Sequence, residues 1–188
     1  MTTRKLPPDL HSLDDDALLS MRIRDLGLRV EHSRLEPFVE RLHAEMSEQA
    51  LSFHPPCYLA DEWLCPDRNP RIGIPFYLAH ERLMRLEKKM MLEVEGGTDR
   101  WCMQLLRHEA GHALNYAYRL YRRSRWRELF GPFTTQYTPN AYAIRPYSRR
   151  YVIHLQDHYA QAHPDEDFAE TVAVWLDPRS DWRRRYRG

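Results

Sequence analysis

Cysteine is scarce in this chain: three residues in 188, at positions 57, 65 and 102. No pair has the C-x-x-C spacing, so neither a cysteine zinc cluster nor a dense disulfide framework accounts for the fold. An apolar run of transmembrane length is missing, and so is a signal-peptide pattern. With the odd cysteine count, these absences predict a reducing, cytoplasmic setting. An excess of one charge is missing too. The 28 basic and 27 acidic residues leave a net charge of +1, which predicts no nucleic-acid partner and no membrane association. Local clusters exist, at Arg122, Arg123, Arg125 and Arg127 and at Arg183, Arg184, Arg185 and Arg187. They read as solvated faces. Internal repeats and low-complexity linkers are also lacking. The length suits one domain over 1–188 with a loose segment at 1–11, able to bury roughly 70% of its extended surface.

Against that even background, His108-Glu109-Ala110-Gly111-His112 stands out. It has the form H-E-x-x-H inside a run of helical apolar spacing. Residues four apart share a helix face, so His108 and His112 can turn two imidazoles toward one ion with Glu109 beside it. That is the front half of a zinc hydrolase site. Thr98 is a suitable N-cap after Gly96-Gly97, and Asp99 suits the first turn. Met103, Leu106, Ala110, Ala113, Leu114 and Ala117 make the helix apolar nearly all round, the mark of a buried helix. Buried histidines need partners, and one metal ion serves both. Gly111 costs the helix about 1 kcal/mol relative to alanine, which predicts close approach by another element.

The third ligand must come from elsewhere. Asn115 and Tyr118 occupy the positions where a metzincin carries its later Gly and His, which excludes that class. The segment 163–176 predicts a second helix, with His163 just outside it, Pro164 at its first position and an end at Asp177-Pro178. Asp165, Glu166 and Asp167 fall in its first turn, where the helix dipole alone explains acids. Glu170 sits mid-helix among apolar residues, and a carboxylate there is costly unless paired or bound to a cation. Glu170 is therefore the expected third ligand, with Asp157, Asp165 and Asp167 as alternatives. His154 and His158 form a second i,i+4 pair, which reads as surface or supporting structure.

Several stretches together resemble the putative zinc-binding metallopeptidase family, a gluzincin-like group: Asp25–Leu28, Ile74–His80, Met91–Thr98, Arg107–His112 and His163–Glu170. The likeness implies that His108, His112 and Glu170 hold the metal and that Glu109 is the catalytic base. Thermolysin-type sites carry an Asp four residues after the ligand Glu. Counting from Glu170, that position is Val174, so the resemblance implies a differently built support, with Asp167 a candidate. It also implies an oxyanion donor near His163, seven residues before Glu170; Tyr159 and His158 are further candidates for that role.

The remaining pattern predicts a helix opening at Asp14–Asp16 with Leu18, Leu19, Ile23 and Leu26 on one face, and a second over 36–49. Extended segments are predicted at 57–64 and 71–79, then a helix over 79–93 with Leu83, Leu86 and Met90 buried. Pro75 cannot donate to a ladder, so its segment should be an edge strand or the margin of one, where zincin sites generally take substrate as an added strand. A turn or two of helix is predicted over 125–130. The long aromatic loop 131–150, with Pro132, Pro139 and Pro146, offers Tyr137, Tyr142 or Tyr147 as a cleft wall. Segment 151–162 is ambiguous. The expected fold class is α+β, a mainly helical zincin-like domain with a small sheet over the H-E-x-x-H helix. The expected function is a zinc metallopeptidase with one Zn2+ ion, acting on a peptide or protein. A catalytically silent zinc module, or a metal hydrolase of a non-peptide amide or ester, are the alternatives. Oligomeric state is left open.

Overall fold

The computed structural model describes residues 8–138 and 141–187. Residues 1–7 of the expected loose start, and Pro139 of the aromatic loop, lie outside the described residues. From Asp9 onward the chain is packed. Asp9 anchors a turn through Ser12, and Leu10 is buried.

Helix α1 (Asp15–Ser20) starts where Asp14 accepts a hydrogen bond from the Ala17 amide at 2.8 Å. It is shorter than its apolar spacing predicts. The chain turns extended at Met21 and forms a 3-10 turn over Ile23–Asp25. The turn brings Leu26 beside Leu18, and both bury with Leu10, Leu83 and Leu86 in a small second core. Leu19 and Ile23 remain exposed. Gly27, at φ 71°, ends the segment in the left-handed region that glycine enters without a Cβ clash. Helix α2 (Glu36–Glu48) has Pro37 in its first turn and buries Leu42 and Met46.

Strands β1 (Cys57–Ala60) and β2 (Ile72–Pro75) pair in parallel, Cys57 opposite Ile72 and Ala60 opposite Pro75. In this two-stranded sheet β2 is an edge strand with Pro75 at its margin, as expected, and its outer side is met at a single isolated bridge. Gly73 donates to the Leu64 carbonyl at 2.8 Å and accepts from the Leu64 amide at 3.3 Å, so β2 has a neighbour on both sides there. The reason is steric. A Cβ on Gly73 would lie 2.5 Å from Leu64 Cδ2 and 2.9 Å from Ala60 Cβ, so glycine lets the Leu64 side chain pack directly over the strand. Pro75 occupies the last position of β2, and the chain leaves it through a 3-10 turn over Phe76–Ala79. His80 then caps helix α3 (Glu81–Met91), its Nδ1 accepting from the Arg82 amide. Leu83 and Leu86 are buried as expected, but Met90 is 54% exposed, on the face turned from the core.

Helix α4 (Asp99–Ala117) is the central element. Thr98 caps it by accepting from the Trp101 amide, and every residue from Cys102 to Asn115 except Gln104 is buried. After helix α5 (Ser124–Phe130) the chain runs irregularly to a 3-10 stretch at Gln156–Gln161. Helix α6 (Pro164–Leu176) begins at the predicted His163-Pro164 boundary, and the short helix α7 (Trp182–Arg185) follows. The main core joins α2, β2, α4 and α6 through Leu42, Ile74, Leu106 and Val172 among others. Burying each such aliphatic side chain contributes about 1.5–3 kcal/mol. The backbones of α4 and α6 approach closely at Gly111, where a Cβ would sit 2.6 Å from Ala169 Cα. The fold is thus mainly helical α+β with a small sheet.

Among the described residues no helix is long and apolar enough to cross a membrane. All three cysteines are free, and burial pushes the Cys57 and Cys102 thiols up to about 12.

Candidate metal centre

One helical turn of α4 sets His108 above His112, and the Gly111–Ala169 contact brings the first turns of α6 against them. The two Nε2 atoms lie 3.1 Å apart. Glu166 Oε2 is 3.1 Å from His108 Nε2 and 3.2 Å from His112 Nε2. Among the described residues, this is the one group of three His, Cys, Asp or Glu side chains whose ligand atoms fall within 4.8 Å of one another. All three residues are buried. Two imidazole lone pairs and a carboxylate oxygen are acceptors and cannot satisfy one another; a proton or a cation between them does. The donor set of two nitrogens and one oxygen suits zinc.

The far sides of the rings are also held. His108 Nδ1 donates to Glu170 Oε1 at 2.9 Å. Glu170 Oε2 accepts from the amides of His154 at 3.2 Å and Leu155 at 2.9 Å. The converging group thus differs from the expected ligand set by containing Glu166 in place of Glu170. Glu170 is fully buried, both its oxygens are engaged, and it grips the nitrogen of His108 that faces away from the convergence point. Glu166, one turn earlier, occupies the facing position. His112 Nδ1 lies 3.1 Å from Asp165 Oδ2, although off the line of a good hydrogen bond. Asp165 is fixed in turn by Asn115 Nδ2 and the Tyr116 hydroxyl, each at 2.6 Å. Each imidazole thus has its own carboxylate behind it, an arrangement that orients metal-binding histidines.

Electrostatics follow from this packing. Burial alone would depress His108, but Glu166 and Glu170 outweigh it and raise the imidazole to about 9. His112 is likewise raised, against burial, by Glu166 and Asp165. Glu166 is held well below the usual carboxylate range by the two histidines, despite its burial. Glu109 differs. Burial pushes its carboxyl up. It is 6% exposed, no hydrogen bond holds its side chain among the described residues, and it borders open space on two sides.

That space is a cleft in two lobes meeting at Trp63, His108, Glu109 and Tyr159. One lobe, of about 420 Å³, is walled by Leu64, Cys65, Tyr137 and Glu166. The other, of about 410 Å³, is walled by Glu62, Glu95, Trp101 and Asp157. The Tyr159 ring lies 5.7 Å from that of His108, and its hydroxyl is 2.6 Å from the Tyr137 hydroxyl. Burial, with Glu166 next, raises both phenols, Tyr137 to about 12. Tyr147 is 97% exposed, away from the cleft, and the Tyr142 hydroxyl donates to the Asp157 carbonyl.

His163 is used differently from its expected role. Its Nδ1 accepts from the Asp165 amide as the cap of α6, and its Nε2 donates to the Thr135 carbonyl at 2.9 Å. It lines the cleft with both nitrogens engaged, leaving no donor for an oxyanion. The alternative ligands also lie outside the converging group. Asp157 is exposed, Asp165 backs His112, and burial followed by Glu170 raises Asp167 to about 7. His154 is part-buried rather than a surface residue; its Nε2 donates to the Gln104 carbonyl while its amide supports Glu170. Glu166 and Trp63 are the residues of the site that sequence reasoning missed. The E-x-x-x-E spacing of Glu166 and Glu170 was the available signal for the first. Nothing local marks the second.

No curated protein and no solved structure matches the chain. A family model described as putative zinc-binding metallo-peptidase matches residues 84–181, 98 of the 188. The match contains both α4 and α6, and with them every residue of the converging group. The chain therefore belongs to the putative zinc-binding metallo-peptidase family.

Proposed function

We propose that the protein is a gluzincin-type zinc peptidase in which His108, His112 and Glu166 hold one ion and Glu109 is the general base. The observation that carries this reading is the convergence of His108 Nε2, His112 Nε2 and Glu166 Oε2 at 3.1–3.2 Å beside a buried, unpartnered Glu109. When bound, zinc supplies Lewis acidity, which acidifies water and polarises a carbonyl. Glu109, raised by burial, takes a proton from water in the cleft and returns it to the leaving amine. The Tyr137 and Tyr159 hydroxyls share one hydrogen bond at 2.6 Å; with Tyr137 donating to Tyr159, the Tyr159 hydroxyl, kept protonated by burial and by Glu166, is left to donate toward a developing oxyanion. Glu170 and Asp165 orient the two imidazoles.

Substrate lies along the Trp63–Cys65 segment in this reading. Leu64 spends its amide and carbonyl on Gly73. By strand alternation the amides and carbonyls of Trp63 and Cys65 turn the other way, where an extended peptide can pair with them. The absence of a membrane-crossing helix among the described residues and the three free thiols support a cytoplasmic setting.

A catalytically silent zinc module has no use for Glu109, a carboxylate facing the cleft beside the converging group with no protein partner among the described residues. Metal analysis with a broad peptide-library digest, comparing wild type and Glu109→Gln, tests the proposal. Zinc in both proteins with cleavage by wild type alone is the expected result. Zinc in both with no peptide cleaved refutes the peptidase.

A further inference from the structure

The 28 lysines and arginines are spread over the chain, yet among the described residues none lines either lobe of the cleft. The lobe on the Trp101 side is walled by Glu62, Glu95 and Asp157, with Glu109 at its floor. Glu109 is nine-tenths buried, has no hydrogen-bond partner among the described residues, and faces into this lobe. Glu62, Glu95 and Asp157 do not form a chelating group, since among the described residues the three-ligand cluster is His108, His112 and Glu166 alone. Their carboxylates are spread along the wall. Glu95 has its carboxyl raised by burial and then by Glu93 and Glu62, so like charges crowd there without a neutralising neighbour. Trp63 and Trp101 add two indole faces to the same walls, and such faces attract cations. A lobe with spread carboxylates, aromatic faces and no fixed cation matches an ammonium or guanidinium group on an apolar stem.

We infer that the lobe walled by Glu62, Glu95, Asp157 and Trp101 is a specificity subsite for a positively charged group of the peptide substrate, next to the bond cut at Glu109. This rests on the peptidase reading above and adds a substrate class to it. The cation is a lysine or arginine side chain, or the free amino terminus of the peptide. At a partly exposed wall, three carboxylate contacts multiply to roughly tenfold in preference.

The test uses zinc-loaded protein and short peptides blocked at both ends, with one lysine walked along a neutral sequence and norleucine as its uncharged counterpart. The same neutral peptide with a free amino terminus is a separate arm. For wild type, kcat/KM for the best lysine peptide should exceed that of its norleucine twin roughly tenfold. The ratio should fall toward one in Glu62→Gln/Glu95→Gln/Asp157→Asn, and also as salt is raised. Preference for the free amino terminus instead of lysine identifies the terminus as the cation. Equilibrium binding of the same peptides to zinc-loaded Glu109→Gln, measured by calorimetry, provides a readout without turnover. Equal kcat/KM for lysine, free-terminus and norleucine peptides overturns the subsite and leaves the peptidase standing. Cation-selective binding without cleavage of any peptide overturns the peptidase and keeps the subsite. Loss of both overturns both.

Discussion

Replacing Glu166 and Glu170 one at a time separates ligand from support. The two carboxylates lie one turn apart on α6, and both touch His108, but on opposite nitrogens. Glu166→Ala removes one of three donor atoms at the point of convergence. Zinc then keeps two imidazoles, and tight binding should be lost. Glu170→Ala leaves all three donors in place and frees the Nδ1 edge of His108. Deleting such an orienting partner typically costs 10–100-fold in metal affinity, about 1.4–2.7 kcal/mol. It has a second consequence, the loss of an acceptor for two backbone amides. Glu170 also accepts from the His154 and Leu155 amides. Unpairing buried donors costs about 1–3 kcal/mol for each, so Glu170→Ala should lower the unfolding midpoint even without metal. Zinc affinity is read by competition with a chromophoric chelator, and stability by denaturant unfolding of the metal-free proteins. The reasoning is refuted if Glu166→Ala still binds zinc like wild type, or if Glu170→Ala abolishes binding as completely as Glu166→Ala.

Four further outcomes follow from the same geometry. Gly111→Ala places a methyl 2.6 Å from Ala169 Cα; prising α4 from α6 should cost about 1–3 kcal/mol in unfolding experiments and weaken zinc binding, and an unchanged midpoint contradicts the close approach. Tyr159→Phe should lower kcat with little change in KM; a rise in KM alone would mark the hydroxyl as a simple binding group. In the metal-free protein the His108 imidazole is raised to about 9. Zinc needs its free lone pair, so uptake at neutral pH should release protons and apparent affinity should climb as pH rises toward 9. Calorimetry in buffers of different ionisation enthalpy measures this, and zero proton release counts against it. Arg107→Met should destabilise by about 1–3 kcal/mol because it leaves buried Glu45 with Arg41 as its one remaining cation, and the double replacement with Glu45→Met should recover part of the loss.

The parts of the site that were legible in the sequence are those one helix carries alone. His108, Glu109 and His112 share a face by spacing, Thr98 and His163-Pro164 mark helix starts by local chemistry, and Gly111 betrays a close approach by its cost. For the third acid a sound rule points to a different residue from the one in the converging group. Acids in a first turn need no explanation beyond the helix dipole, so Glu166 was passed over, whereas Glu170 looked anomalous. Both are buried. The apparent lack of an orienting acid at Val174 was itself the clue: moving the ligand back one turn puts Glu170 in that place. What spacing cannot reveal is partnership across long separations. Gly73 accepting the Leu64 segment, Trp63 forming a wall of both lobes, and Tyr137 meeting Tyr159 are set by chain crossings with no local signature.

Neighbouring residues on α4 divide the work of fixing α6. His108 faces the first two turns of α6 through Glu166 and Glu170. Arg107, next in sequence and 1% exposed, points to another side, where its guanidinium takes Glu45 of α2 in two bonds of 2.7 Å. Its third contact, at 3.3 Å, is Asp177, the residue that ends α6. Helix α6 is thus tied to α4 at both ends by charged groups and held at minimum separation in between by Gly111. A slip of α6 by one turn would carry Glu170 toward the place of Glu166, and apolar contacts alone discriminate weakly against it. The slip would also pull half-buried Asp177 from Arg107 and leave the buried guanidinium with Glu45 alone, which costs about 1–3 kcal/mol. Placement of the converging acid to within a fraction of a turn therefore depends on an ion pair at the far end of the helix as well as on the histidines beside it.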